Sequence, residues 1–267
     1  MYITVQETSL FIEDQGPVSA LPIILLHGFP LDHRMWSHQI ETLTASSYRV
    51  ITPDLLGMGR SELPSSNISL DRYADDILAM MDQLQIPRAV LGGFSMGGYV
   101  AFALLRKAPE RFSALILANT RPEADSPEGR QNRMKMAASL YEKGSSAAKD
   151  AMLPKLLTEH TRAESPGLVS ELEQVMTAME PEGLVHASLA MAFRPDASDL
   201  LTSIQVPTLV IAGEQDPITT PEIMKSMADQ IPASQFHVIP EASHLTPQEK
   251  PDAFNAVLLG FLNSIKP

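Results

Sequence analysis

The chain has 267 residues, 44% hydrophobic and 19% charged, with a formal net charge of −12 and a pI near 5.0; that is one large domain or a core with an insertion, and it excludes a disordered or collagen-like chain. So acidic a chain disfavours nucleic acid and anionic lipid, which attract Lys/Arg-rich faces, and leaves a small neutral or weakly polar substrate as the expected partner. The lack of cysteine excludes disulfides, thiolate metal sites and cysteine nucleophiles, and with neither a leader-like segment after Met1 nor an apolar run of spanning length, a cytoplasmic protein without membrane contact is expected.

In chain order, Tyr2–Val5 and Ser9–Ile12, broken off by Asp14-Gln15-Gly16, alternate apolar and polar residues as antiparallel edge strands do. Pro22–Leu26, Tyr48–Ile51, Ala89–Leu91, Ala114–Ala118 and Pro207–Ile211 are short, nearly unbroken apolar runs. Strands covered on both faces of a parallel sheet require that pattern. Helical patterns separate them: Leu70–Leu84 behind an N-cap at Ser69, Met96–Lys107, Pro221–Gln230 and Pro251–Ile265. The alternation predicts an α/β core over residues 1–120 and 197–267. Residues 121–196 break the rhythm with four amphipathic helix candidates and no strand. They are Arg130–Tyr141, Ser146–Leu157, Leu168–Met179 and Glu182–Ala192, punctuated by prolines, and they predict a helical cap inserted after a core strand.

Gly93-Phe94-Ser95-Met96-Gly97 follows the Ala89–Leu91 strand and opens the Met96–Lys107 helix, the setting of a G-x-S-x-G nucleophile elbow. Small flanking residues let strand and helix approach, and the helix N-terminus favours developing negative charge. A serine hydroxyl needs a base to take its proton and an acid to hold that base. Asp216 follows the Thr208–Ile211 strand within Gly213-Glu214-Gln215-Asp216-Pro217, and His244 follows the Phe236–Ile239 strand candidate. Glu214 is a rival acid, but Asp216 lies further beyond the strand end, where a loop can reach the histidine. His237 is a rival base, but it falls inside an extended apolar run and reads as a structural imidazole. Ser95, Asp216 and His244 in that order are the expected triad.

Acyl transfer also needs N–H donors for a tetrahedral oxyanion. Met96, after the nucleophile, supplies one, and Phe29 in the His27-Gly28-Phe29-Pro30 loop is the candidate for the other, with its side chain lining the pocket. His27 reads as a loop brace. Trp36 and Arg121 are candidate substrate-binding residues, Arg121 for a carboxylate, although such an arginine more often pairs with a cap carboxylate. Met134, Met136, Met152, Met176, Met179 and Met191 read as plain core. His33, His38, His160 and His186 lack metal-ligand spacing with carboxylates, so no metal is expected.

Together the His27–Pro30 loop, Asp54-Leu55-Leu56-Gly57-Met58-Gly59-Arg60-Ser61, Gly92–Gly98, Gly213–Asp216 and Glu241-Ala242-Ser243-His244 resemble the α/β-hydrolase superfamily. The resemblance implies an eight-stranded, mostly parallel sheet, a triad that works without a cofactor, and a substrate pocket between core and cap. In size and four-helix cap the chain is similar to small carboxylesterases and to 3-oxoadipate enol-lactonase-like hydrolases, which implies a small ester or lactone as substrate. Relatives with an aspartate nucleophile, the haloalkane dehalogenases and epoxide hydrolases, are disfavoured by Ser95. Cofactor-free haloperoxidases, carbon–carbon bond hydrolases and a hydrolase-like ligand receptor are the alternatives, the last opposed by an intact triad.

Overall fold

The structure, a computed structural model, describes residues 1–65 and 68–265. Among these, eight strands form one sheet: β1 (Tyr2–Val5), β2 (Thr8–Gln15), β3 (Pro22–Leu26), β4 (Arg49–Pro53), β5 (Ala89–Phe94), β6 (Phe112–Ala118), β7 (Thr208–Gly213) and β8 (Ser234–Ile239), in the order β1-β2-β4-β3-β5-β6-β7-β8. β1 pairs antiparallel with β2 and β2 antiparallel with β4, and the other pairings are parallel. The sheet has the predicted α/β character, with its antiparallel strands at one edge. β4, β5 and β7 are buried along their whole length, because helices cover both faces of the sheet. β8 is an edge strand, and there His237 is exposed rather than a packed structural imidazole.

Around the sheet lie α1 (Ser37–Ala45), α2 (Leu70–Gln83) and α3 (Met96–Lys107). Ser69 caps α2 by accepting from the Arg72 N–H at 3.1 Å. The sequence reading has no counterpart of α1, whose run Ser-His-Gln-Ile-Glu-Thr-Leu-Thr-Ala buries only Gln39, Ile40 and Leu43. Between β6 and β7 come α4 (Pro127–Lys143), α5 (Ser146–Leu156), α6 (Glu159–Glu164), α7 (Pro166–Thr177) and α8 (Pro181–Ala192). Five helices thus stand where four were expected. The addition, α6, is a short turn started by Thr158, whose Oγ1 accepts from the Thr161 N–H at 3.1 Å. Proline opens α4, α7 and α8, where its missing N–H costs nothing. The two ends of this insertion are tied at its neck: Ala197 N donates to Pro122 O at 2.9 Å, and buried Arg194 pairs with buried Asp125 at 2.8 Å. The chain closes with α9 (Pro221–Ala228), α10 (Thr246–Glu249) and α11 (Pro251–Ser264). Among the described residues no helix is long and apolar enough to cross a membrane.

Candidate active site

Ser95 stands between the last residue of β5 and the first of α3 with φ 51° and ψ −113°, a left-handed conformation that L-residues seldom hold. Backbone and side-chain hydrogen bonds fix it there. Its N–H donates to Ala118 O at 3.0 Å, and its carbonyl accepts from Gly98 N at 3.0 Å and Thr120 Oγ1 at 2.8 Å. The crossing of helix and strand requires glycine at 97, since a Cβ there would lie 2.3 Å from Leu26 O.

His244 reaches this serine from the loop after β8. Its Nε2 lies 2.9 Å from Ser95 Oγ and its Nδ1 lies 2.7 Å from Asp216 Oδ2. The Phe94 ring packs against the imidazole at 5.0 Å between centroids. Asp216 projects from the turn after β7 and is saturated with donors. Its Oδ1 accepts from the Ile218 and Thr219 N–H groups at 2.7 and 3.1 Å, and its Oδ2 from Thr219 Oγ1 at 2.6 Å and Asn119 Nδ2 at 2.9 Å. Burial alone would raise its pKa, but the charge and hydrogen bond of His244, with the bonds from Asn119 and Thr219, outweigh burial and hold it at about 2. Asp216 is therefore a carboxylate throughout the neutral range.

The rivals lie elsewhere. Glu214 is exposed and its Oε2 accepts from the Glu241 N–H at 2.8 Å, while His237 faces solvent on β8. Asn119, Thr219 and Thr246 are site residues that the sequence reading missed. For Asn119 the signal was present: a polar residue directly after a buried strand, at the carboxyl end of the sheet where α/β folds place their sites.

The loop after β3 presses on the elbow, so closely that a Cβ on Gly28 would lie 3.1 Å from Ser95 Cβ and 2.6 Å from the Phe94 ring. His27 braces that loop. Its Nε2 accepts from the Leu55 N–H at 2.9 Å, which leaves the proton on Nδ1 to donate to Gly28 O at 3.0 Å. Burial lowers its pKa and keeps it in this neutral form. Phe29 and Met96, the residues named for the oxyanion, thus lie on two converging segments, Phe29 next to Gly28 and Met96 next to Ser95.

A cavity of about 220 Å³ opens beside Phe29, with Arg121, Arg133, Met136, Met152 and Ile218 in its walls. Met136 and Met152 are therefore cavity lining rather than plain core, and Met134 is 42% exposed; Met176, Met179 and Met191 are buried as expected. Arg121 also lines this cavity. It lies 3.6 Å from the Asp125 carboxylate, a loose pairing, because Arg194 and Arg133 hold the same group at 2.8 and 3.2 Å. Trp36 is corrected: it is 1% exposed and sits in the core between Phe94 and Phe254, at ring separations of 6.4 and 6.2 Å, so it supports the elbow from behind and presents no face to a substrate. A larger cavity of about 420 Å³ lies between α8 and the start of α2, and no member of the Ser95–His244–Asp216 line borders it.

Asp32, His33 and Asp54 bring ligand-type atoms within 4.8 Å of one another. The oxygens of both carboxylates accept from protein donors. Asp54 accepts from the His33 ring at 2.7 Å and from the His33 and Arg60 N–H groups at 2.8 Å each, and Asp32 is gripped by Arg34 at 2.6 Å. The cluster pins the loops after β3 and β4 to each other.

A family profile described as alpha/beta hydrolase fold matches residues 22–251. The chain is 31% identical over 268 residues to 3-oxoadipate enol-lactonase 1 of Acinetobacter baylyi, covering 98% of this chain and 96% of that protein. Among solved structures it is similar to a thermophilic esterase from Thermogutta terrifontis with malate bound, at 40% identity and TM-score 0.95, covering 100% of this chain and 99% of that one. It is also similar to the enol-lactonase from Burkholderia xenovorans LB400, at 30% identity and TM-score 0.92, covering 98% and 100%. A chain with this sheet, this strained serine between strand and helix, and these relatives belongs to the α/β-hydrolase fold family.

Proposed function

We propose that Ser95 is the nucleophile, His244 the general base and Asp216 the orienting acid of an enzyme that hydrolyses small carboxylic esters or lactones through an acyl-enzyme. One observation carries the reading: the unbroken line from Asp216 Oδ2 to His244 Nδ1 at 2.7 Å and from His244 Nε2 to Ser95 Oγ at 2.9 Å. The esterase and enol-lactonase relatives support carboxylic ester hydrolysis of small substrates as the activity.

In this reading Ser95 Oγ attacks the carbonyl carbon as His244 Nε2 takes its proton, and Asp216 stabilises the imidazolium that forms. The carbonyl oxygen becomes an oxyanion held by the backbone N–H groups of Phe29 and Met96, with the N-terminus of α3 behind it. Collapse expels the alkoxide, which takes the proton from His244; in a lactone it stays tethered to the acyl group. Water then attacks the acyl-enzyme by the same route, returning Ser95 and releasing the acid. Residues 121–196 act as the cap, since Met136 and Met152 of the insertion share a cavity with Phe29 of the core. Arg121 is the substrate contact on that wall, its charge only partly met by Asp125, and suits a carboxylate on the acyl part. The cysteine-free composition suits a cytoplasmic enzyme.

Peptide mapping after treatment with a p-nitrophenyl phosphonate tests the assignment. One equivalent of phosphonyl group on Ser95, with esterase activity lost in step, is the expected result. Complete retention of activity by protein labelled on Ser95, or activity lost with the label elsewhere, would refute it.

A further inference from the structure

We infer that Glu249 is a positioning residue for this reaction, because its buried carboxylate joins the loop that carries His244 to the insertion and so holds the base in line with Ser95. The inference rests on the triad reading above. Glu249 ends α10 and is 8% exposed. Its Oε2 accepts from the Ser243 N–H at 2.5 Å, one residue before His244, and its Oε1 accepts from the Thr158 N–H at 2.7 Å, between α5 and α6.

Two more bonds run the same way. Ser243 Oγ donates to Lys155 O at 2.9 Å, and the Leu245 N–H donates to Leu156 O at 2.8 Å. Both neighbours of His244 are thus fastened to the strip 155–158, and the contact is closed at its middle, with Leu156 and Leu157 of the strip and Leu245 beside His244 at 1% exposure or less. A carboxylate can accept at both oxygens at once, and bonds to an ionised acceptor are the strong ones. A carboxamide at 249 cannot replace it, since its NH2 would face one of the two N–H donors. The base is therefore set by two supports: Asp216 turns the imidazole, and Glu249 fixes the backbone from which it hangs. Lys155 also lines the cavity beside Phe29, so the strip that seats His244 borders the space for substrate.

Thr158 offers a test that changes no residue of the histidine loop. It has φ −61°, and Leu157 before it is extended at φ −122° and ψ 148°, so the backbone accepts proline at 158; the ring removes the N–H from which Glu249 accepts and displaces the Glu249 carboxylate from that side, and the hydroxyl cap of α6 goes with it. Thr158→Ala deletes the hydroxyl cap and keeps the N–H.

Steady-state kinetics on a short p-nitrophenyl ester, and the rate of phosphonylation at Ser95, are measured for Glu249→Gln, Thr158→Pro and Thr158→Ala, with circular dichroism for folding. Misaligned bases lose rate rather than binding, so kcat and the phosphonylation rate are expected to fall by about tenfold to a hundredfold in Glu249→Gln with KM within about threefold. Thr158→Pro is expected to fall at least about fivefold further than Thr158→Ala. Folded Glu249→Gln with wild-type kcat, or equal rates for the two Thr158 variants, overturns the inference, and the Thr158 pair decides alone if Glu249→Gln does not fold. Ser95→Ala run in parallel separates the two failures: if it is inactive while the other variants match wild type, the triad stands and the role of Glu249 falls.

Discussion

Asn119 donates from Nδ2 to Asp216 Oδ2 at 2.9 Å, and its Oδ1 accepts from Thr246 Oγ1 at 2.7 Å. One fully buried amide therefore links the acid to the segment two residues beyond His244. Asn119→Ala is expected to lower kcat by about tenfold to a hundredfold with KM little changed, because a small displacement of acid against base is costly in rate. Steady-state kinetics on the folded variant check this, and a kcat equal to wild type would remove Asn119 from the site.

Asp216 and Glu214 are two residues apart and differ in what they hold. Asp216→Asn is expected to keep the fold but favour the wrong imidazole tautomer, lowering kcat/KM on the order of ten-thousand-fold, by analogy with the serine-protease triad. Glu214→Gln alters an exposed contact to the Glu241 backbone and is expected to change kcat/KM by less than about tenfold. A crippled glutamine variant beside an active asparagine variant would reverse the assignment.

The depressed pKa of Asp216 has consequences for both rate and stability. Its folded value of about 2 lies below the unfolded carboxyl value of about 3.9. The sign is that of an acid ionised more readily when folded, so its contribution is full above about pH 4 and lost as pH falls through about 2. A pH profile of kcat/KM taken above about pH 3 is thus expected to show no ascending inflection from Asp216. Urea midpoints are expected to drop below about pH 4. An ascending inflection near the unfolded carboxyl value of about 3.9 that Asp216→Asn removes would mean that Asp216 titrates there and is not held as the structure indicates.

The neck of the insertion carries a buried ion pair, Arg194 with Asp125 at 2.8 Å, both side chains 2% exposed. Burial alone would raise the Asp125 pKa, but Arg194 and Arg133 outweigh it and hold it low. Asp125→Ala leaves Arg194 buried without its carboxylate and beside two further arginines, at an expected cost of about 3–5 kcal/mol in urea denaturation. A loss below about 1 kcal/mol would show that the neck does not depend on this pair.

What was legible in the sequence follows from how local each signal is. The buried strands β3 to β7 announce themselves as nearly unbroken apolar runs, and Ser95, Asp216 and His244 as polar residues just beyond strand ends, because a parallel sheet fixes both. α1 was not legible, since its packed face is only Gln39, Ile40 and Leu43. α6 hides between prolines in six residues. Trp36 reads as a pocket aromatic by type, but burial is decided by distant partners, Phe94 and Phe254, that no window around position 36 contains. The same holds for Asn119 and Glu249, whose roles come from partners 97 and 91 positions away. Met136 and Met152 differ from the buried methionines only by the side of the insertion they face.

The central claim is that Ser95 is the nucleophile, and the kcat/KM of a folded Ser95→Ala enzyme on a short p-nitrophenyl ester tests it most directly. Alanine keeps a small residue at the elbow and removes the hydroxyl that lies 2.9 Å from His244 Nε2. The expected loss is on the order of a million-fold, as when the serine of a well-studied triad is removed. Near-wild-type turnover by cleanly folded Ser95→Ala would contradict it.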